Sequence, residues 1–260
     1  MDRSFDTVAA VYDHTRALPP EVEKAIGAGI ARLTAATAAT RFLEVGVGTG
    51  RIALPLIREG YRYSGADISL PMLRAARQKA QGLTGQLGLC NADARALPFA
   101  SATFDAVIVV HLFHLIPAWP DALAEVLRVI RPGGCFLYGA EQQGAAGAAD
   151  PFAARWKTAL ARHGITPRNH RATDAGVLAD LQDRGLTPKR HTIATWTRTS
   201  TVGQTLARYA SRDYSSSWSI PEPIFREANA TIAAWAREQY PGDDSLLTTA
   251  AAFTVTFVRC

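Results

Sequence analysis

The chain has 260 residues, which suits one domain with a decoration or one domain and a small second one, and 48% of them are apolar, enough for a large buried core. A net charge of +5 tolerates an anionic ligand, but no Lys/Arg cluster with interleaved aromatics appears, which argues against a nucleic-acid partner. Cys90, Cys135 and Cys260 are odd in number and far apart, so they read as thiols in a reducing compartment and not as a disulfide framework.

The first residues, Met1-Asp2-Arg3-Ser4-Phe5-Asp6, carry acids early and form no signal peptide. Val8, Val11, Tyr12 and Thr15-Arg16 share one helical face before Leu18-Pro19-Pro20 stops the pattern. Glu21 to Leu33 is a second amphipathic helix, and Thr34 to Thr40 is a connection of small residues. Residues 1–40 are therefore expected as a helical cap ahead of a main domain at 41–260.

Phe42-Leu43-Glu44-Val45 is an apolar run with one carboxylate, and it leads into Gly46, Gly48 and Gly50 on alternate positions. A helix follows from about Arg51 to Glu59, with Pro55 tolerated in its early turns and Gly60 at its end. This is a strand, a glycine loop and a helix. Such a loop lets backbone approach a ligand with no Cβ between, and it aims main-chain N–H groups at what binds. Tyr61 to Asp67 is a second strand ending in an acid, placed to accept hydrogen bonds from ribose hydroxyls.

Ser69 caps the next helix, with Pro71 just inside it and Met72, Leu73 and Ala76 on its apolar side. Gln86 to Cys90 is a third strand, followed by Asn91-Ala92-Asp93-Ala94. Phe104 to Val110 is a fourth, of the kind buried on both faces of a parallel sheet. Ala106 to Trp119, the most apolar stretch, is too short to span a bilayer and holds two histidines, so a cytoplasmic protein without a membrane partner is expected. Trp119 to Ile130 is a helix, Arg131-Pro132-Gly133-Gly134 a turn, and Cys135 to Gly139 a fifth strand.

Gly144 to Asp150 reads as a joint. Phe152 to His163 and Thr173 to Arg184 are expected helical, as are Val202 to Tyr209 and Pro221 to Glu238. Lys189 to Arg198 and Ala252 to Val258 are expected strands. Strands alternating with helices imply right-handed crossovers and a doubly wound α/β sheet.

Four pieces in chain order resemble the class I S-adenosylmethionine-dependent methyltransferases: Phe42 to Gly50, Asp67 after the second strand, Asp93-Ala94 after the third, and Arg131-Pro132-Gly133-Gly134 before the fifth. The match covers roughly residues 40–140, and Phe5, Tyr12-Asp13 and Arg16 look like the lead-in of members that act on small molecules. The resemblance implies a Rossmann-like, mostly parallel seven-stranded sheet with helices on both faces and its last strand antiparallel. It also implies a helical lid inserted at about 200–240 and S-adenosyl-L-methionine as cofactor. The partner implied is a small-molecule methyl acceptor, methylated on O, N or C, with room for a homodimer.

The resemblance assigns cofactor contacts to Glu44, Gly46, Gly48, Gly50 and Asp67, and an adenine contact to Asp93 with Ala94. Ile68 and Met72 are placed to pack on the adenine face. Tyr12 and Arg16 are placed to cover the cofactor or meet its carboxylate. A nicotinamide dinucleotide would instead want a glycine at position 51, which is Arg51, and Glu44 at the mouth of the loop would repel a diphosphate. An NAD(P)-dependent oxidoreductase and a non-catalytic binding protein of the same fold stay open as alternatives.

His111 and His114 end the fourth strand, where ligands gather in open α/β sheets; both are candidate catalytic bases, and His111 is also a candidate cofactor contact. Their spacing is not that of a metal motif, and no third ligand is evident. Acceptor contacts are expected from residues 1–20, the end of the fourth strand and the 200–240 insertion. Trp196, Tyr209, Tyr214, Trp218 and Trp235 could line an apolar pocket or serve as core.

Overall fold

The computed structural model describes residues 16–143, 150–165, 173–212 and 217–260. Tyr12, Tyr214 and most of the joint at 144–150 lie outside them. Seven strands form one sheet in the order β3-β2-β1-β4-β5-β7-β6. They are β1 (Arg41–Val45), β2 (Arg62–Asp67), β3 (Gln86–Asn91), β4 (Phe104–Val110), β5 (Ile130–Gln143), β6 (Lys189–Thr201) and β7 (Leu246–Arg259).

β1 pairs in parallel with both β2 and β4, with Val45 opposite Ala66 on one side and Val109 on the other. The chain order therefore reverses between β1 and β4. In open α/β sheets that switch point leaves a crevice beyond the carboxyl ends of the strands. β7 runs the other way: Gly133 N donates to Cys260 O (2.6 Å), Cys260 N donates to Gly134 O (2.9 Å), and Thr254 Oγ1 meets Ala140 O (3.5 Å). Rising numbers on β5 meet falling numbers on β7, so the sheet is mixed, as the resemblance implies.

The expected turn at Arg131-Pro132-Gly133-Gly134 is absorbed into β5. Phe104 pairs with Ile130 and Ala106 with Cys135, so the register shifts between them, and Gly133 sits at φ +77°. The glycines let the strand take a bulge instead of ending.

The helices are α1 (Pro20–Thr34), α2 (Ala53–Arg58), α3 (Leu70–Lys79), α4 (Trp119–Val129), α5 (Pro151–Ala161), α6 (Asp174–Asp183), α7 (Val202–Ala210) and α8 (Glu222–Gln239). Caps fix several starts. Ser69 accepts from Met72 N, Thr173 from Gly176 N, and Thr201 shares a capping box with Gln204.

Residues 16–141, 173–194 and 253–260 form one compact unit, and residues 142–143, 150–165, 195–212 and 217–252 form another. α1 falls in the first of these. The first unit is centred on Leu43, Val107, Phe113, Val126 and Phe136, all fully buried. In the second, Phe152 packs its ring edge-on to Trp235 and stacked with Tyr209 and Tyr240, while Trp156, Leu160, Phe225 and Ile232 make a neighbouring cluster. Tyr209 and Trp235 pack against core, and the Trp218 indole N–H is bonded to Arg212 O (2.9 Å). Among the described residues no helix is long and apolar enough to cross a membrane.

Candidate active site

Both cavities described below lie in the first unit. The larger structural feature is the loop between β1 and α2. Gly46, Gly48 and Gly50 all have positive φ, at +78°, +53° and +85°, so each uses backbone freedom that other residues rarely have. The three differ in what surrounds them. A Cβ at Gly46 would lie 2.9 Å from Leu112 Cδ1, one at Gly50 would be in ordinary contact with Leu54 and Ala76, and one at Gly48 would meet nothing within 4 Å. Gly48 is thus where the loop opens onto free space.

Asp67, at the end of β2, holds that loop. Its Oδ2 accepts from Gly48 N (2.8 Å) and its Oδ1 from Ser69 N (2.9 Å). The carboxylate fixes the glycine loop and the start of α3 together. The cleft beside it has a volume of about 350 Å³, within the usual range for small-molecule sites. Gly46, Gly48, Asp67, Ile68, Met72, Asp93, Ala94 and His111 line it, joined by Leu112, Ile116 and others. Ile68 is 73% exposed, an apolar side chain on the lining of the cleft.

Asp93 is less open than its motif implies. Arg95 donates to both of its carboxylate oxygens through its guanidinium and to Oδ1 through its backbone N–H (2.9 Å). These bonds hold the Asp93 carboxyl below the usual carboxylate range, hence ionised.

Two expected contacts are placed elsewhere. Gly50 does not line the cleft. Glu44 is a larger departure: it is 2% exposed, lies within β1 beneath the loop, and accepts from the Tyr63 hydroxyl (2.9 Å). Burial raises its pKa to about 8, only partly offset by Tyr63 and Arg51. A carboxyl kept protonated under the loop does not repel a diphosphate at its mouth, so that argument from the sequence fails, and the glycine spacing alone separates the two ligand classes.

Arg51 stands where a dinucleotide fingerprint needs glycine. Its Nη1 donates to Glu141 Oε2 (3.0 Å) and to Arg16 O (3.3 Å), and both side chains of the pair are nearly buried, at 13% and 11% exposed. Glu141, near the end of β5, in turn donates its backbone N–H to His111 Nε2 (3.0 Å). One chain of bonds therefore ties the start of the loop helix, the end of β5 and the end of β4. Arg16 lines neither cavity, but its charge bears on both His111 and His114.

His111 is a correction to the expectation of a general base. Its Nε2 is already an acceptor for Glu141 N–H, so the neutral ring carries its proton on Nδ1 and can only donate there. Burial first, then Arg51, His114 and Arg16, lowers its pKa to about 3. It also sits at φ +51°, a strained setting for a non-glycine residue, held by the surrounding bonds. His114 differs. Burial and Arg16 lower its pKa and Asp174 raises it, so the ring stays neutral, and no bond to either ring nitrogen occurs among the described residues.

His111 and His114 line a second cavity of about 420 Å³, together with Tyr138, Gly139, Ala140, Thr173 and Asp174. His111 is common to both cavities. Tyr138, on β5, donates to Asp174 Oδ1 (3.1 Å), at the first turn of α6. Neither residue was singled out from the sequence. Tyr138 lies within the expected strand Cys135 to Gly139, and Asp174 within the expected helix Thr173 to Arg184. The described residues of 200–240 belong to the second unit.

A family model described as a methyltransferase domain matches residues 43–138. The demethylmenaquinone methyltransferase of Thermus thermophilus is 41% identical over 96 residues, 36% of this chain and 44% of its own. The phosphatidylethanolamine N-methyltransferase of Cereibacter sphaeroides is 37% identical over 128 residues, 47% of this chain and 63% of its own. The chain thus spans less than two thirds of either. The solved structure of the cyclase SpnF superposes with a TM-score of 0.60 at 19% identity, covering 98% of this chain and 93% of that one. At that identity the likeness is one of fold, which hosts more than one reaction.

Proposed function

We propose that this chain, which belongs to the class I S-adenosylmethionine-dependent methyltransferase family across residues 43–138, binds S-adenosyl-L-methionine in the cleft at the switch point and transfers its methyl group to a small-molecule nucleophile. The observation that carries the reading is the Gly48–Asp67 pair: a left-handed glycine facing open space, bonded to a carboxylate that ends the neighbouring strand. A side chain at position 48 would fill that space, so the residues present fit a ligand lying against bare backbone.

The bound cofactor supplies an already activated methyl on a sulfonium. The chain's own residues then have positioning and desolvation to do, which explains why no conspicuous catalytic motif is present. Asp67 offers its carboxylate to ribose hydroxyls, Asp93 its ionised carboxylate to an adenine amine, and Ile68 and Met72 an apolar face. His111 offers an N–H donor at the partition between the cavities. The relatives above are named for methylating demethylmenaquinone and, on nitrogen, phosphatidylethanolamine, so chains similar to this one take chemically different acceptors.

Calorimetric titration with S-adenosylmethionine, S-adenosylhomocysteine and NADH tests the reading. Binding of the first two and not of NADH is expected. Binding of NADH alone supports an oxidoreductase, and silence with all three supports a scaffold that has lost its ligand.

A further inference from the structure

What the His111 ring can offer a ligand in the cleft is decided by groups bonded to it from elsewhere in the fold. Its Nε2 accepts the Glu141 backbone N–H (3.0 Å), so the neutral ring carries its hydrogen on Nδ1. Its backbone sits at φ +51°, which a residue with a Cβ keeps only where its surroundings impose it. Glu141, whose N–H makes that bond, is itself paired with Arg51 (3.0 Å), and the two side chains are only 11% and 13% exposed. A pair this far out of water adds little net stability, because desolvation offsets the attraction of its charges. Its geometry is more telling than its energy. Arg51 Nη1 also donates to Arg16 O (3.3 Å), so one guanidinium ties residue 16, the turn into α2 and the end of β5.

We propose that Arg51 and Glu141 are positioning residues of the site: their ion pair places the Glu141 N–H on His111 Nε2, and so makes His111 a fixed N–H donor to a ligand in the cleft. The inference rests on the methyl-transfer reading above for the identity of that ligand. A ring locked in this form asks the ligand for a lone pair and takes no proton from it. The surroundings act in the same sense, since burial, Arg51, His114 and Arg16 all disfavour a charged ring. The other ionisable groups lining the two cavities with it are Asp67, Asp93 and Arg95 in the cleft, and Tyr138 and Asp174 in the second cavity.

The test reads the ring itself in the full, isotope-labelled chain. Nitrogen chemical shifts separate a ring nitrogen that carries hydrogen from one that accepts. At neutral pH the wild-type His111 should hold hydrogen on Nδ1 alone. Arg51→Met should release the ring to a mixture of both forms, while Arg51→Lys, which keeps a cation opposite Glu141, should restore the Nδ1 form. If Arg51→Met does not fold, Glu141→Gln takes its place, since it keeps the backbone N–H and removes the charge. Calorimetry with S-adenosylhomocysteine reads the consequence. Arg51→Met should weaken binding about tenfold, one hydrogen bond's worth. His111→Gly, which tolerates the backbone angle and removes the ring, should do the same, and the double variant should lose no more than either. A residue that merely supports the fold, or whose charge meets the ligand directly, would instead add its loss to that of His111→Gly. Hydrogen on Nε2 in the wild-type ring overturns the proposal whether or not a variant folds. So does an unchanged ring spectrum in Arg51→Met, or additive losses in the double variant. A wild-type chain that shows the Nδ1 form but binds no S-adenosylhomocysteine overturns the methyl-transfer reading instead, and the ring spectra alone then decide whether Arg51 positions His111.

Discussion

The two cavities are built by opposite means. The cleft is made by backbone: three left-handed glycines, the N–H of Gly48 and the N–H of Ser69 gathered on one carboxylate, all within residues 46–69. The second cavity is made by side chains brought from β4, β5 and α6, and its Tyr138–Asp174 bond joins residues 36 apart in sequence. A site made of backbone demands particular residues at fixed spacing, because only glycine tolerates those angles. A site made of side chains can be assembled from any element that ends nearby. The first kind of site thus leaves a mark in the sequence at fixed spacing, while the second can be assembled from many residue types and leaves none.

If the cleft depends on backbone held by one acid, removing that acid should do most harm. Asp67→Ala should weaken S-adenosylhomocysteine binding about a hundredfold or more, as charged hydrogen bonds are worth about 1.5–3 kcal/mol each, and calorimetry reads it directly. Affinity within a few-fold of wild type would reduce Asp67 to a structural clamp for Gly48 and Ser69.

Two glycine substitutions separate strain from occupancy. Gly46→Ala and Gly48→Ala both force a Cβ onto a left-handed backbone, at a cost of about 1–2 kcal/mol. Only Gly46→Ala also pushes on Leu112. The melting temperature should thus fall further in Gly46→Ala, while Gly48→Ala should lose ligand affinity out of proportion to its lost stability. Equal ratios of the two losses would mean that the space above Gly48 is not where the ligand lies.

Glu44 gives a pH test of what lies under the loop. Its pKa is about 8 in the fold and near 4.5 when unfolded. The folded state thus keeps a proton that the unfolded state has lost, so this group's contribution to stability is full below the lower value and declines as pH rises through that window. Glu44→Gln removes the term. The variant's melting temperature should gain on wild type steadily from about pH 5 to pH 8, the opposing slope from His111 cancelling in the difference. A flat difference would mean that the carboxyl is ionised in the fold.

The smallest effect concerns the histidines. With a folded pKa of about 3, His111 should show no imidazole titration by NMR between about pH 5 and pH 8. Fold stability should be lost as pH falls below 6.5, since the unfolded ring binds a proton there and the folded one does not. Removing the clamp that Glu141 N–H forms on Nε2 is not open to side-chain mutation, so titration of the wild-type ring is the direct check.

The sequence carried the strands, most helices and the glycine loop because each has a local cause: an apolar run buried on both faces, a cap, a glycine at a required angle. The β5 bulge was misread as a turn, since Pro132-Gly133-Gly134 has the same composition in either role and only pairing with β4 and β7 decides. Glu44 was misplaced because its pairing is tertiary. It lies opposite Gly65, and the diagonal neighbour Tyr63 reaches across to bond it. Asp174 and Tyr138 gave no local sign at all, since neither has meaning without the other.

The most direct measurement is a crystal structure of the chain with S-adenosylhomocysteine. The account predicts ribose hydroxyls on the Asp67 carboxylate, the nucleoside lying against Gly48, and the sulfur on the side of the His111 wall. A ligand bound away from Gly48 and Asp67, or a cleft that stays empty at saturating concentration, would contradict it.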